Sequence, residues 1–298
     1  MIKQYKNILK KNDLLVNKYT IKGKATIVDT NKGLFVLKQN KGNDIYKYLL
    51  SRNFVYFPKI IDIDDNYILF EYLDDINYDN NQKAFDLMHI LALLHSKTTY
   101  YKEIDYDEYK NIYEDLKQKI GYINNYYLDI ISMIESNVYM SPSEYLIARN
   151  ISKIFSCIYY CNNELDNWYE LIKDKKRKRV VTLNNTLKLD NIIKNKNIYL
   201  ISWDKSKVDI PIYDLVYFYN NYSLEFDFSN LLEEYQRIFP LLKEEKILMN
   251  ILISIPNKID FEKNEYDKTK AVRKLLDKIY KTEKLLTSKK EETTSTQK

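Results

Sequence analysis

Three short segments hold the residue types from which a reactive site could be built. Asn184-Asn185-Thr186-Leu187-Lys188-Leu189-Asp190-Asn191 offers side-chain amides, a hydroxyl and a carboxylate within a few residues. Ile201-Ser202-Trp203-Asp204 adds a hydroxyl and a second carboxylate, and Tyr213-Asp214-Leu215 a third. Far upstream, the apolar run Leu34-Phe35-Val36-Leu37 ends in Lys38. Carboxylate and amide oxygens can hold a hard cation, and an ammonium can neutralise negative charge. Each residue also has a plainer reading. Lys38 could be a strand-end lysine reaching out to solvent. Asn191 could cap its loop instead of binding a metal, and Asp204 could be an exposed loop carboxylate. Asp214 precedes a helix, where it could cap it or brace the loop backbone.

The elements that must position these residues are of two kinds. From about 13 to 72 the chain reads as strands with one helix. Residues 20–28 alternate in part, Asn31-Lys32-Gly33 supplies a hairpin turn, and Leu34 to Lys38 pairs back. A helix is expected over 44–52, with Ile45, Tyr48 and Leu49 on one face. Two further strands, 58–63 and 67–72, meet at the Asp64-Asp65-Asn66 turn. Beyond Leu73 the periodicity becomes helical. Residues 82–97 are apolar almost all round and describe a buried helix. Long helices are expected over 106–135 and 143–173, the second opened by Ser141-Pro142-Ser143-Glu144 as a capping box with Pro at the first helical position. Residues 180–200 read as strand, loop and hairpin. Helices over 214–222, 230–254 and 262–286 follow. The last residues lack apolar content and are expected to be disordered.

Composition bounds the partners. The 298 residues are 45% hydrophobic and 30% charged, the balance of a globular protein with room for two cores. A net charge of +5, spread along the chain, does not demand a polyanion. The run Lys175-Lys176-Arg177-Lys178-Arg179 could be a nucleic-acid patch, but it contains no aromatic residue and reads more simply as a solvated connector. Two histidines and two cysteines, without paired spacing, argue against zinc. Cys157 and Cys161, four apart on one helix face, read as buried free thiols. No apolar stretch is long enough to span a membrane, and the charged start Met1-Ile2-Lys3-Gln4-Tyr5-Lys6 has no signal-peptide core. A cytoplasmic protein is expected.

The motifs, taken in order, resemble the aminoglycoside/choline phosphotransferase branch of the protein-kinase-like fold, including the spore-coat kinase-like proteins. Val36-Leu37-Lys38 resembles the strand whose lysine meets the nucleotide phosphates. Phe70-Glu71-Tyr72-Leu73 looks like the hinge that meets the adenine, and Leu91-Ala92-Leu93-Leu94-His95-Ser96 is similar to the end of the first long helix of the second lobe. His95 and His89 would then be packed helix histidines. Leu189-Asp190-Asn191-Ile192-Ile193 resembles the end of the catalytic loop. Ile201-Ser202-Trp203-Asp204 resembles the metal strand, and Pro211-Ile212-Tyr213-Asp214-Leu215 the segment after it.

The resemblance implies an α+β, two-lobed fold: an antiparallel-sheet lobe over 1–75, a mainly helical lobe over 76–287, and a disordered tail over 288–298. It also exposes departures. Asn184 stands where the family has His, Thr186 where it has the catalytic Asp, and Ser202 where it has the metal-binding Asp. A threonine hydroxyl is not a base at neutral pH, and one neutral serine oxygen is a poor ligand for a hard cation. Only four glycines occur in the chain, and Gly23 alone lies in the first hairpin, so a phosphate-cradling loop lacks its usual residues. Asp44 is the only acidic candidate to pair with Lys38 from the following helix. Asp74-Asp75, just after the hinge, could meet a cationic substrate or could form a surface turn.

The expectation is therefore a pseudokinase: no catalytic residue, a vestigial nucleotide site at Lys38, Glu71, Tyr72, Asn191 and Ser202, and a binding or regulatory role toward a protein partner. No cofactor, membrane or nucleic acid is expected. The alternative is an ATP- and magnesium-dependent small-molecule phosphotransferase that uses Asp190 or Asp204 in unusual register with Asn191 and Lys38. Asn191 and Asp204 would then be its metal ligands.

Overall fold

Strand β2 (Ala25–Thr30) buries Thr26, Val28 and Thr30 in strict alternation, the period of a strand with one face on a core. It lies between β1 (Val16–Lys22), an edge strand exposed along most of its length, and β3 (Gly33–Gln39). With β4 (Ile60–Ile63) and β5 (Tyr67–Glu71) these form one sheet of order β1-β2-β3-β5-β4, antiparallel throughout. The turn expected at residues 31–33 is present: Thr30 faces Gly33, which takes a φ of +110°. Helix α1 (Lys6–Lys11), which the sequence pattern does not announce, covers the sheet with Ile8 and Leu9 against Val28, Leu37 and Leu69. Helix α2 (Ile45–Ser51) packs Tyr46 between the rings of Phe57 and Phe70, each centred 5.3 Å away. Helix α3 (Asn80–Thr98) buries Leu87, Met88, Ile90, Leu91 and Leu94, close to the all-round burial expected of it.

The chain continues through β6 (Tyr100–Glu103), α4 (Glu108–Ser136), α5 (Pro142–Ile172) and β7 (Arg177–Leu183). A single 3-10 turn, Leu189–Asn191, leads into the hairpin β8 (Ile192–Lys194) and β9 (Ile198–Leu200). After β10 (Lys207–Asp209) come α6 (Ile212–Tyr222), α7 (Phe228–Ile238), α8 (Lys243–Ser254) and α9 (Glu265–Ser295). This computed structural model describes residues 5–41, 44–105 and 107–295.

An antiparallel-sheet region is thus followed by a helical region, as expected. Two compact units result, and their division differs from a single boundary at 75. One unit is Met1–Thr98 with Thr182–Lys207; the other is Thr99–Val181 with Val208–Lys298. Helix α3 joins the sheet unit because it packs on the 3-10 turn and β9. The segment after β5 is stitched to the same hairpin: Ile76 N–H donates to the Lys194 carbonyl at 2.8 Å, and Lys194 N–H to the Asp75 carboxylate at 2.9 Å.

In the second unit, α5 packs against α4, α8 and α9. Its capping box forms as the sequence indicates, with Ser141 and Glu144 serving each other's backbone N–H groups and Pro142 at the first turn. The single helix expected over 230–254 is two, α7 and α8, because Pro240 has no N–H to continue the ladder. Helix α9 runs on to Ser295, into the segment expected as tail, where Lys289, Lys290, Glu291 and Glu292 are good helix formers. Residues 296–298 lie outside the described residues. Cys157 and Cys161 are buried free thiols, pushed up by burial to about 11 and about 12 respectively. Among the described residues, no helix is long and apolar enough to cross a membrane.

Candidate phosphate and metal site

Lys38 sits near the end of β3, in register with Ala25 of β2 and Ile68 of β5. It does not reach out to solvent. It turns into a pocket of ≈ 20 Å³, room for about one water molecule, together with Tyr46, Ile68, Trp203 and Asp204. Burial lowers the Lys38 ammonium below its ordinary value; the Asp204 charge opposes that shift and Lys24 adds to it. Asp204 is also paired with Lys24, 3.4 Å away, at the tip of the β1–β2 hairpin. That tip is a two-residue loop in which Gly23 takes a φ of +58° and Lys22 faces Ala25. Where a phosphate-cradling loop would open, the chain closes a tight turn and sends a lysine to Asp204. Asp44, the carboxylate expected to serve Lys38, instead pairs in solvent with Lys47 at 3.0 Å.

The loop after β7 is held by amides. Asn184, completely buried, donates through Nδ2 to the carbonyls of Ile201 at 3.2 Å and Ser202 at 3.3 Å. Asn191, 5% exposed, donates to Asn184 Oδ1 and to the Ile201 carbonyl, each at 3.4 Å. The backbone adds Ile201 N–H to the Asn191 carbonyl at 2.8 Å. The strand expected over 201–204 is not formed. β9 ends at Leu200, and Ser202 takes a left-handed φ of +68°, which breaks the alternation that would place residues 202 and 204 on one face. Trp203 is buried instead, its Nε1 donating to the Leu200 carbonyl at 3.0 Å and its ring edge-on to Phe54. Thr186 is half-buried and Asp190 exposed.

These residues offer a divalent cation little negative charge. The positions at 186 and 202 offer neutral hydroxyls, and the Asn191 Nδ2 group is turned onto Asn184 and the Ile201 carbonyl. The nearby carboxylate, Asp204, already faces two ammonium groups. Among the described residues, no three His, Cys, Asp or Glu side chains gather as a metal would require. Of the hinge residues, Glu71 accepts from the Lys59 N–H at 2.9 Å, a local strand contact, and Tyr72 is half-buried just beyond β5.

Other candidates are absorbed by structure. Asp214 is not a cap: α6 starts at Ile212, so this buried carboxylate lies inside the first turn, where the helix dipole favours it. His95 is buried in α3 and His89 half-buried. The basic run is no loose connector, since residues 177–179 belong to β7. Lys175, Arg177, Lys178 and Arg179 are matched with Glu244, Glu103, Glu108 and Glu245. Sequence reasoning missed Lys24 and Tyr46; only the hairpin turn at Gly23-Lys24 could have pointed to the first.

The fold recurs in solved structures. The chain has the protein-kinase-like fold of the aminoglycoside phosphotransferases. An aminoglycoside phosphotransferase from Alicyclobacillus acidocaldarius superposes with a TM-score of 0.68 at 9% identity, covering 93% of this chain and 92% of that one. Spectinomycin phosphotransferase in its AMP-bound complex superposes at 0.53 and 11% identity, covering 94% and 97%. No protein-family model matches the sequence, and no curated protein is similar to it in sequence.

Proposed function

We propose that this protein is a pseudokinase that acts by binding a protein partner, not by transferring phosphate. One observation carries the reading: the loop that would do the chemistry is wired for structure. Phosphoryl transfer needs carboxylates to hold the metal and orient the nucleophile. Here Thr186 and Ser202 stand in those places, and the amides of Asn184 and Asn191 are spent on the backbone of residues 201–202. Lys38 faces Asp204 in a water-sized pocket, so its charge is answered within the protein.

A second reading is favoured by Asp204 itself, a carboxylate acting on the phosphate-type lysine, and by the phosphotransferase names of the two structural relatives. In that reading Asp204 or Asp190 takes the metal with Asn191, and the protein is an ATP-dependent small-molecule kinase.

Thermal unfolding with nucleotide separates the two. A ligand at a hundredfold excess over its Kd stabilises the folded state by about 2.7 kcal/mol. That is several degrees in a chain this size, on the order of 2–8 °C. Millimolar ATP is expected to leave the melting temperature unchanged, with no further shift on adding magnesium. A magnesium-dependent rise that disappears in Asp204→Asn would return the protein to the enzymes.

A further inference from the structure

Helices α5, α8 and α9, all in the second unit, line a cavity of ≈ 540 Å³, within the range of small-molecule sites. It shares no residue with the Lys38 pocket or the loop after β7. The burial of its lining residues separates a floor from a rim. Cys157, Ile253, Ile255, Pro256, Leu275 and Ile279 are buried and form the floor. All are uncharged, the Cys157 thiol included, since burial pushes it up to about 11.

Two buried hydroxyls complete the floor. Thr282, 4% exposed, is engaged: its Oγ1 donates to the Lys278 carbonyl at 2.7 Å and pairs with Tyr219 Oη at 2.7 Å. Ser254, 7% exposed at the end of α8, has a buried Oγ with no hydrogen-bond partner among the described residues. A buried hydroxyl left unbonded is costly, and a ligand oxygen that met it by a turn about χ1 would remove that cost.

The charged lining residues are less buried and of both signs. Glu283 is exposed, while Glu164 and Lys278 are half-buried. Asn167 Nδ2 donates to Glu164 Oε1 at 3.3 Å, and Lys278 Nζ donates to Asn220 Oδ1 at 2.8 Å. Two carboxylates and one ammonium, two of them already bonded to amides, do not select a ligand of either sign. A charged group carried to the floor would give up its hydration and meet no opposite charge there.

From the uncharged floor and its one unbonded hydroxyl we infer that the cavity binds a small, uncharged and mainly apolar molecule with one hydrogen-bonding oxygen. The apolar body covers the side chains of α8 and α9, and the oxygen meets Ser254. The inference uses none of the residues on which the pseudokinase reading rests, so the two stand or fall separately.

The test is calorimetric titration of the full chain at pH 7 with 1-octanol, octanoate, octylammonium and propylbenzene. Saturable binding of 1-octanol is expected, with both charged analogues weaker by about tenfold or more. Ser254→Ala should weaken 1-octanol about three- to tenfold, the worth of one hydrogen bond, and leave propylbenzene, which has no oxygen, within about twofold. Because that variant removes an unbonded hydroxyl, its melting temperature should stay within about 2 °C of wild type or rise. Ile279→Trp, which fills the floor, should abolish binding of both uncharged probes. No binding of 1-octanol by the wild-type chain, equal affinity in Ser254→Ala, or a charged analogue bound as tightly as the alcohol would each overturn the inference.

Discussion

If the loop after β7 is kept for structure, removing Asn184 should cost the protein stability, while removing Thr186 should not. Asn184 is completely buried and serves two carbonyls at 3.2 and 3.3 Å. In Asn184→Ala the Ile201 carbonyl keeps Asn191 as a donor, but the Ser202 carbonyl loses the donor described here. With the Asn191 amide that donates to Asn184 Oδ1, three net hydrogen bonds at about 1 kcal/mol each, and part of the penalty for one stranded carbonyl, amount to about 3–5 kcal/mol. For a chain of this size that lowers the melting temperature by about 4–10 °C. Thr186→Ala, half-buried and outside the amide network, should stay within about 0.5 kcal/mol of wild type. The assay is calorimetric unfolding of both variants, with Asn191→Ala and the Asn184/Asn191 double variant completing a cycle. Because the two amides share a hydrogen bond, the double variant should lose less than the sum of the singles, by about 0.5 kcal/mol or more. An Asn184→Ala shift no larger than that of Thr186→Ala, or strict additivity in the cycle, would refute the structural role.

Glu265 offers a pH test: burial raises its carboxyl, but Lys268 and the Ser143 backbone and hydroxyl more than offset this and hold it at about 2. Its stabilisation is therefore present above pH ~4.5 and is lost as pH falls toward ~2, so Glu265→Gln should flatten the acid limb of the melting curve over that window. Glu245→Ala should cost about 3–5 kcal/mol in urea unfolding, since it strands the Arg179 guanidinium, which is only 11% exposed; replacing both partners by apolar residues should cost less. Tyr127→Phe should cost about 1 kcal/mol by removing the hydroxyl's bond to the Asn257 carbonyl.

What the sequence disclosed, and what it hid, follows from the range of the interactions involved. The turn before Gly33 and the Ser141–Glu144 capping box are decided within a few residues and formed as read, whereas the stretch 20–28, expected as one strand, is divided between β1 and β2 by the turn at Gly23-Lys24. Pro240 was an equally local signal that splits α7 from α8, outweighed in the reading by the helical periodicity on either side. Helix α1 was not legible because six mostly polar residues make a helix only when a sheet receives Ile8 and Leu9. The site divides the same way. The residue types at 184, 186 and 202, an amide and two hydroxyls, could be read directly. What those residues do instead could not be read. A left-handed Ser202 has no glycine to announce it, and Asp204 meets Lys24 and Lys38 only once the hairpin and β3 are folded.

That difference bears on what holds the loop in its shape. A loop whose geometry depended on a bound metal would have no reason to hold its form once the carboxylates were gone. Here the geometry is carried by neutral amides that bond the backbone directly. The form of this loop is thus set by the chain's own side chains and backbone.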